Sequence, residues 1–319
     1  LIGSILCMLT FYITIHLIYK HLKYYVSPNH QRYIIRILLM IPLYSILTLL
    51  SIYKVELEIY LAFIRDCYES YVIYCFFALL INYVGDKNIV IHLETHEPIY
   101  LLPKKIFRNI FEYKPNEIGI LQYVIVKPLL TVINIFLTIY NYEGDGFLQF
   151  KRFYPYQAAL GTLSVSLSLY FLSMFLKIMH DEIKPYHPVL KFLSVKVVVA
   201  LCFWQIYGIK IFNYFFPIAL IGNIEHHKDN IIFINNCFIL VEMFLCSILH
   251  NYAYPYELYR VEDFFLIRNM NSDNKNLKNT NKNILKASIF KNFIDSLNQK
   301  DMIAETIKSI KGTEIYNKE

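Results

Sequence analysis

The chain has 319 residues, of which 56% are apolar and 18% charged, with a formal net charge of +6. Apolar residues gathered into stretches of about 20 with charges at only a few places exclude a soluble enzyme, because a soluble domain cannot bury that many such segments. The positive charge gathers in connections and tail, where it meets anionic lipid, and it is no argument for nucleic acid.

Seven apolar stretches follow in chain order: Leu1–Tyr19, Ile34–Tyr53, Ile59–Val84, Ile118–Tyr140, Gln157–Ile178, Val189–Phe212 and Asn230–Tyr252. Each approaches the ~20 residues that cross ~30 Å of hydrocarbon. The chain opens at Leu1 rather than at an initiator methionine, which leaves open residues upstream of it and a shortened first stretch. Its length, the basic flank at Lys20 and Lys23 and the absence of a small-residue cleavage site favour a spanning helix over a signal peptide.

Basic residues predict orientation, since Lys and Arg near membrane ends stay cytoplasmic. Lys20, Lys23, Arg32 and Arg36 lie between the first two stretches; Lys87, Lys104, Lys105, Arg108 and Lys114 lie between the third and fourth. Lys184, with Lys177 and Lys191 at its edges, marks the fifth connection, and the tail is basic. Alternate connections hold only Lys54, then Lys151 and Arg152, then Lys228. The expectation is an all-α bundle of seven spans, N-terminus outside and C-terminus cytoplasmic. Tyrosine clusters at 24–25, 140–142, 154–156 and 252–256 fall at the expected membrane edges, where a ring with a polar tip is accommodated best.

Cys7, Cys67, Cys75, Cys202, Cys237 and Cys246 fall in or beside apolar stretches and read as packing residues rather than a disulfide framework. The ten histidines, including adjacent His226 and His227, form no ligand pattern for a seven-span zinc hydrolase, and no metal or other cofactor is expected.

Charges inside the stretches carry more information, because each costs ~2.5–3.5 kcal/mol at mid-membrane on insertion scales. Arg65, Asp66 and Glu69 occur in the outer half of the third stretch, and helical spacing predicts a compact, nearly neutral cluster. Lys127 lies midway along the fourth and precedes Pro128, which frees a carbonyl one turn earlier. Lys196 sits about two turns inside the sixth, and Glu242 near the middle of the seventh. Gln205 lies on the helix face opposite Lys196 and Phe203, and Trp204, the sole tryptophan, reads first as a packing residue. Two readings of these charges stand side by side: closed struts between helices, or the lining of a solute path on which an unpaired lysine attracts an organic anion.

Gln31-Arg32-Tyr33-Ile34-Ile35-Arg36, Arg65-Asp66-Cys67-Tyr68-Glu69, Val126-Lys127-Pro128, the run Pro188 to Leu193 followed by Val195-Lys196, Phe203-Trp204-Gln205, Val241-Glu242-Met243 and Tyr252-Ala253-Tyr254-Pro255 occur in this order. The set resembles the organic solute transporter alpha and transmembrane protein 184 family over about Tyr19 to Tyr259, and is closer to the transmembrane protein 184 branch. The resemblance implies a membrane transporter of organic solutes; in the bile-acid-exporting branch the alpha subunit works with a single-span beta subunit. Family members carry a cysteine-rich patch, thought to be lipidated, between the third and fourth spans. Here residues 84–116 hold no cysteine, so anchoring by that patch is not carried over, and Lys104, Lys105 and Arg108 take the headgroup contact instead.

The expected organisation is a membrane domain over 1–265 and a polar, Asn- and Lys-rich cytoplasmic tail over 266–319. In the tail, Ile284, Leu285, Phe290, Phe293, Ile294 and Leu297 recur at helical spacing and predict an amphipathic helix at 283–299, for a membrane surface or a partner. No phosphate-binding loop or inverted repeat appears, so direct ATP drive is not expected. The expected activity is facilitated movement of an amphipathic organic anion, such as a conjugated steroid, with membrane lipid and a single-span subunit as partners. The compartment is expected to be the plasma membrane or an endolysosomal or vacuolar membrane. The alternative is a non-transporting scaffold for trafficking or signalling. A G-protein-coupled receptor fits topology alone: Arg65-Asp66 sits at the wrong end of the third stretch and Asn251-Tyr252 lacks the adjacent proline. A retinal protein needs a seventh-stretch lysine, which is absent.

Overall fold

In the computed structural model residues 1–84, 117–140, 154–215, 227–260 and 288–299 are described. The basic connection containing Lys87, Lys104, Lys105, Arg108 and Lys114, the pair Lys151 and Arg152, His226, the side chains of Cys202, Phe203, Trp204 and Lys228, and Ile284 and Leu285 lie outside them. Among the described residues there is no strand. The helices are α1 (Ile2–Lys23), α2 (Pro28–Leu38), α3 (Met40–Tyr53), α4 (Glu58–Val84), α5 (Glu117–Ile139), α6 (Tyr154–Ile178), α7 (Pro188–Phe215), α8 (His227–Ala253) and the short α9 (Ile289–Leu297).

Among the described residues six helical segments are long and apolar enough to cross a membrane: Ile2–Lys23, Pro28–Tyr53, Val55–Val84, Gly119–Ile139, Tyr156–Ile178 and Asn230–Ala253. The stretch Val189–Phe212 lies within α7, which is 28 residues long. The second crossing is read from sequence as one helix, but the structure breaks it at Leu39 into α2 and α3. Pro42 is the cause, because it has no N–H to give the carbonyl of Leu38. Hydroxyls within the helices turn back on their own backbone: Thr10 donates to Leu6, Ser45 to Ile41, Thr138 to Asn134 and Thr162 to Ala158. Each is thereby satisfied where water cannot reach it.

One face of α1, with Cys7, Thr10, Thr14, Leu17 and His21, is buried, while Ile5, Met8, Tyr12, Ile15 and Tyr19 point outward. The second and third crossings form the centre. Ile34, Ile35, Ile37 and Leu38 of α2 meet Val72, Ile73, Phe76 and Leu79 of α4 in the same apolar core. From there α4 packs on α5 and α5 on α6; on the other side α3 packs on α1 and α8, and α8 on α7. The α5–α6 approach depends on Gly119, because a Cβ there would overlap the ring of Phe171.

Aromatic rings close the end of the bundle at which α1 finishes. Tyr83 stacks on Tyr186 with centroids 4.2 Å apart, His30 meets both edge-on, and the hydroxyls of Tyr83 and Tyr259 lie 3.1 Å apart. His21 Nε2 lies 3.0 Å from the Tyr254 carbonyl, and since a carbonyl only accepts, that nitrogen carries the proton. Lys191, counted from sequence among the topology-setting basic residues, is fully buried here. Its ammonium donates to the Tyr186 carbonyl and lies 5.8 and 5.7 Å from the centres of the Tyr83 and Tyr254 rings. Arg36 is likewise buried and donates to the carbonyls of Ser296 at 2.8 Å and Asn298 at 2.7 Å. Both cations are bonded to backbone carbonyls inside the protein.

Candidate polar interior

Arg65, Asp66 and Glu69 lie within little more than one turn of α4, yet they do not close on one another as the spacing suggests. Each is drawn to a different neighbour, because consecutive positions of a helix point about 100° apart and face different partners. Arg65, only 6% exposed, reaches back two turns, its Nη2 2.5 Å from Glu58 Oε1. Glu58 also accepts from the Ser51 hydroxyl and, at 3.3 Å, from the Asn236 amide, which itself donates to Ser51 at 2.9 Å. This knot ties α3, α4 and α8. Nη1 of Arg65 has no hydrogen-bond partner among the described residues.

Asp66 turns to α5. Its Oδ1 lies 3.1 Å from Lys127 Nζ and its Oδ2 accepts from Thr131 at 2.8 Å. Thr131 also lies 3.0 Å from the Lys127 carbonyl. Pro128 stands inside α5, which continues through it to Ile139.

Glu69 is buried and its carboxylate is hydrogen-bonded by two phenols. Tyr123 of α5 donates to Oε1 at 2.7 Å, while the Tyr44 hydroxyl of α3 lies 3.3 Å from Oε2 and 3.0 Å from the Arg65 carbonyl. Since a phenol has one proton, Tyr44 divides it between helix backbone and carboxylate.

Lys196, Gln205 and Glu242 lie apart from this interior, along α7 and α8. The helices run antiparallel: Gln205 donates to the Asn235 carbonyl at 2.9 Å, and further down Lys191 lies by the Tyr254 ring. That register sets Lys196 within about two turns of Glu242 in depth, but the two are not paired. Lys196 is exposed on the outer face with Val189 and Leu193, its ammonium 5.6 Å from the centre of its own helix's Phe192 ring. Glu242 is half-buried, with Oε2 shielded and without a hydrogen-bond partner.

Sequence reasoning left out Glu58, Ser51, Tyr44, Tyr123, Thr131 and Asn236. Glu58 carried a usable signal, since it precedes Arg65 by two turns on the same face but stood one residue outside the stretch begun at Ile59. Nothing in the sequence marks the two tyrosines among 28. Cys7, Cys67, Cys75, Cys237 and Cys246 are all free. Among the described residues no group of His, Cys, Asp and Glu is placed to hold a metal ion.

Long apolar helices whose few inward charges are met by ion pairs and hydroxyls, as Arg65 is by Glu58, Asp66 by Lys127 and Glu69 by two phenols, define a multi-pass integral membrane protein. The family model described as organic solute transporter Ostalpha matches residues 1–259, and the chain belongs to that family. It is 33% identical over 276 residues to a transmembrane protein 184 homolog of Dictyostelium discoideum, an alignment covering 82% of this chain and 53% of the relative. The chain thus spans about half the length of that curated relative. No solved structure matches it.

Proposed function

We propose that this protein is a facilitative carrier of amphipathic organic anions, such as conjugated steroids, that crosses the membrane seven times with its N-terminus outside. The observation that carries the reading is the contrast among the three mid-span cations. Arg65 is closed on Glu58 and Lys127 on Asp66, whereas Lys196 has no carboxylate within ion-pairing distance among the described residues and stands on an outward, apolar flank. An unpaired cation in hydrocarbon is costly, and an organic anion whose apolar body lies in the lipid relieves that cost.

Both sides of the flank suit such a solute. Val189, Leu193 and Leu201 of α7 and Phe238, Val241 and Leu245 of α8 are exposed and apolar, a surface for a steroid body beside a site for its sulfate at Lys196. Glu242, within about two turns of Lys196 in depth, repels the same anion and keeps its residence short enough for release. The solute gradient sets direction. A single-span partner, as the resemblance implies, would find its place on such a lipid-facing flank, and the plasma membrane or an endolysosomal membrane is the proposed compartment.

Uptake of a labelled sulfated steroid into proteoliposomes, with the chain alone and with co-purifying subunits, tests the reading. Saturable flux lost in Lys196→Ala and retained in Lys196→Arg is the expected result. Absence of flux in correctly inserted wild-type protein under both conditions would instead favour a scaffold.

A further inference from the structure

Helix α9 is docked the reverse of the usual way for an amphipathic helix. Its polar face holds the protein: Asn292 Nδ2 donates to the Leu22 carbonyl at 3.0 Å, and both Asp295 oxygens accept from Arg32 at 2.9 Å. Tyr25 adds a third bond to Asp295 at 3.0 Å, and Arg36 grips the carbonyls of Ser296 and Asn298. Burial, then the Asp295 charge, pushes the Tyr25 phenol well above its ordinary value, so it remains a donor. Of the apolar residues only Phe293 packs toward the core. Phe290, Ile294 and Leu297, spaced i, i+4, i+7, are 71%, 54% and 45% exposed. At ~100° per residue their stripe lies on nearly the opposite side of the helix from Asn292, Asp295 and Ser296.

From this geometry we infer that α9 is an interfacial helix whose Phe290–Ile294–Leu297 stripe inserts into the membrane leaflet at the α1-exit end, beside anionic headgroups. Depth is the first argument. The outward apolar row of α1 ends at Tyr19 and gives way to Lys20 and exposed Lys23, which mark the hydrocarbon boundary, and Asn292 is tied to the carbonyl of Leu22 at that level. The second crossing agrees: Pro28–Tyr53 holds 26 residues where ~20 cross ~30 Å of hydrocarbon, and the turns around Arg32 that carry α9 lie at its α1-exit end, at the level of the headgroups. Charge is the second argument. Lys23 and Lys291 are exposed and Lys20 is half-buried, which suits phosphatidylserine-like headgroups better than an apolar protein partner. The polar bonds set the helix's position and the leaflet covers the face they leave open.

The test uses the full chain in nanodiscs, with Trp204→Phe as background and a tryptophan introduced as Phe290→Trp or, for comparison on another face, as Lys291→Trp. The expected result is that the Phe290→Trp reporter is quenched by bromine-labelled lipids and is at least several-fold less sensitive to aqueous acrylamide than the Lys291→Trp reporter. Adding phosphatidylserine should deepen the lipid quenching. Equal acrylamide sensitivity of both reporters would overturn the inference, as would protection of the Phe290→Trp reporter from both quenchers, which would place a protein surface over the stripe.

Discussion

Replacing Glu58 by Gln keeps the shape and the acceptor oxygen but removes the charge that balances Arg65. Arg65 is only 6% exposed and its Nη1 already lacks a hydrogen-bond partner among the described residues, so the variant holds an unpaired buried cation. Breaking one side of such a pair costs about 3–5 kcal/mol. Arg65→Met should cost clearly less, because Glu58 keeps the Ser51 and Asn236 donors and opens α4, where the helix dipole favours a negative charge. The double variant Glu58→Gln/Arg65→Met should recover most of the loss, since no charge remains unmatched. Thermal unfolding in nanodiscs, followed by reaction of a thiol dye with buried Cys75 and Cys246, reads the difference. At about 2–4 °C per kcal/mol, Glu58→Gln should lower the midpoint by about 6 °C or more, and the double variant by far less. Additive losses, or a larger loss in Arg65→Met than in Glu58→Gln, would refute the pairing as the source of stability.

Tyr123→Phe should destabilise by about 1.5–3 kcal/mol, as Glu69 loses its shorter phenol bond, and the loss should shrink in a Glu69→Gln background; the same melt measures both. Gly119→Val forces a side chain against Phe171 and should cost about 1–3 kcal/mol, with part of the loss relieved by Phe171→Ala. Asp295→Ala removes the acceptor shared by Arg32 and Tyr25, so hydrogen exchange in Ile289–Leu297 should accelerate at least tenfold while residues 72–80 remain protected. Exchange unchanged across Ile289–Leu297 would show that the clip does not hold α9.

The all-helical membrane character was legible from sequence because apolar length is a property of the one-dimensional chain: about 20 residues without water-seeking groups have no stable place but a bilayer or a buried core. The charges that matter were legible for the same reason, since Arg65, Asp66, Glu69, Lys127, Lys196 and Glu242 stand out against their apolar surroundings. Spacing along α4 marks Glu58 as a partner for Arg65 but does not reveal the others. Whether Asp66 meets Lys127, whether two of 28 tyrosines meet Glu69, and whether Lys196 points inward all depend on how neighbouring helices are rotated and aligned in depth. That rotation is decided by packing, as where Gly119 lets α5 meet Phe171, and by bonds between residues far apart in the chain, as where Asp295 meets Arg32. The tertiary structure alone assigned the buried roles of Lys191 and Arg36, because a basic residue near a helix end reads identically in sequence whether it meets a headgroup or a backbone carbonyl.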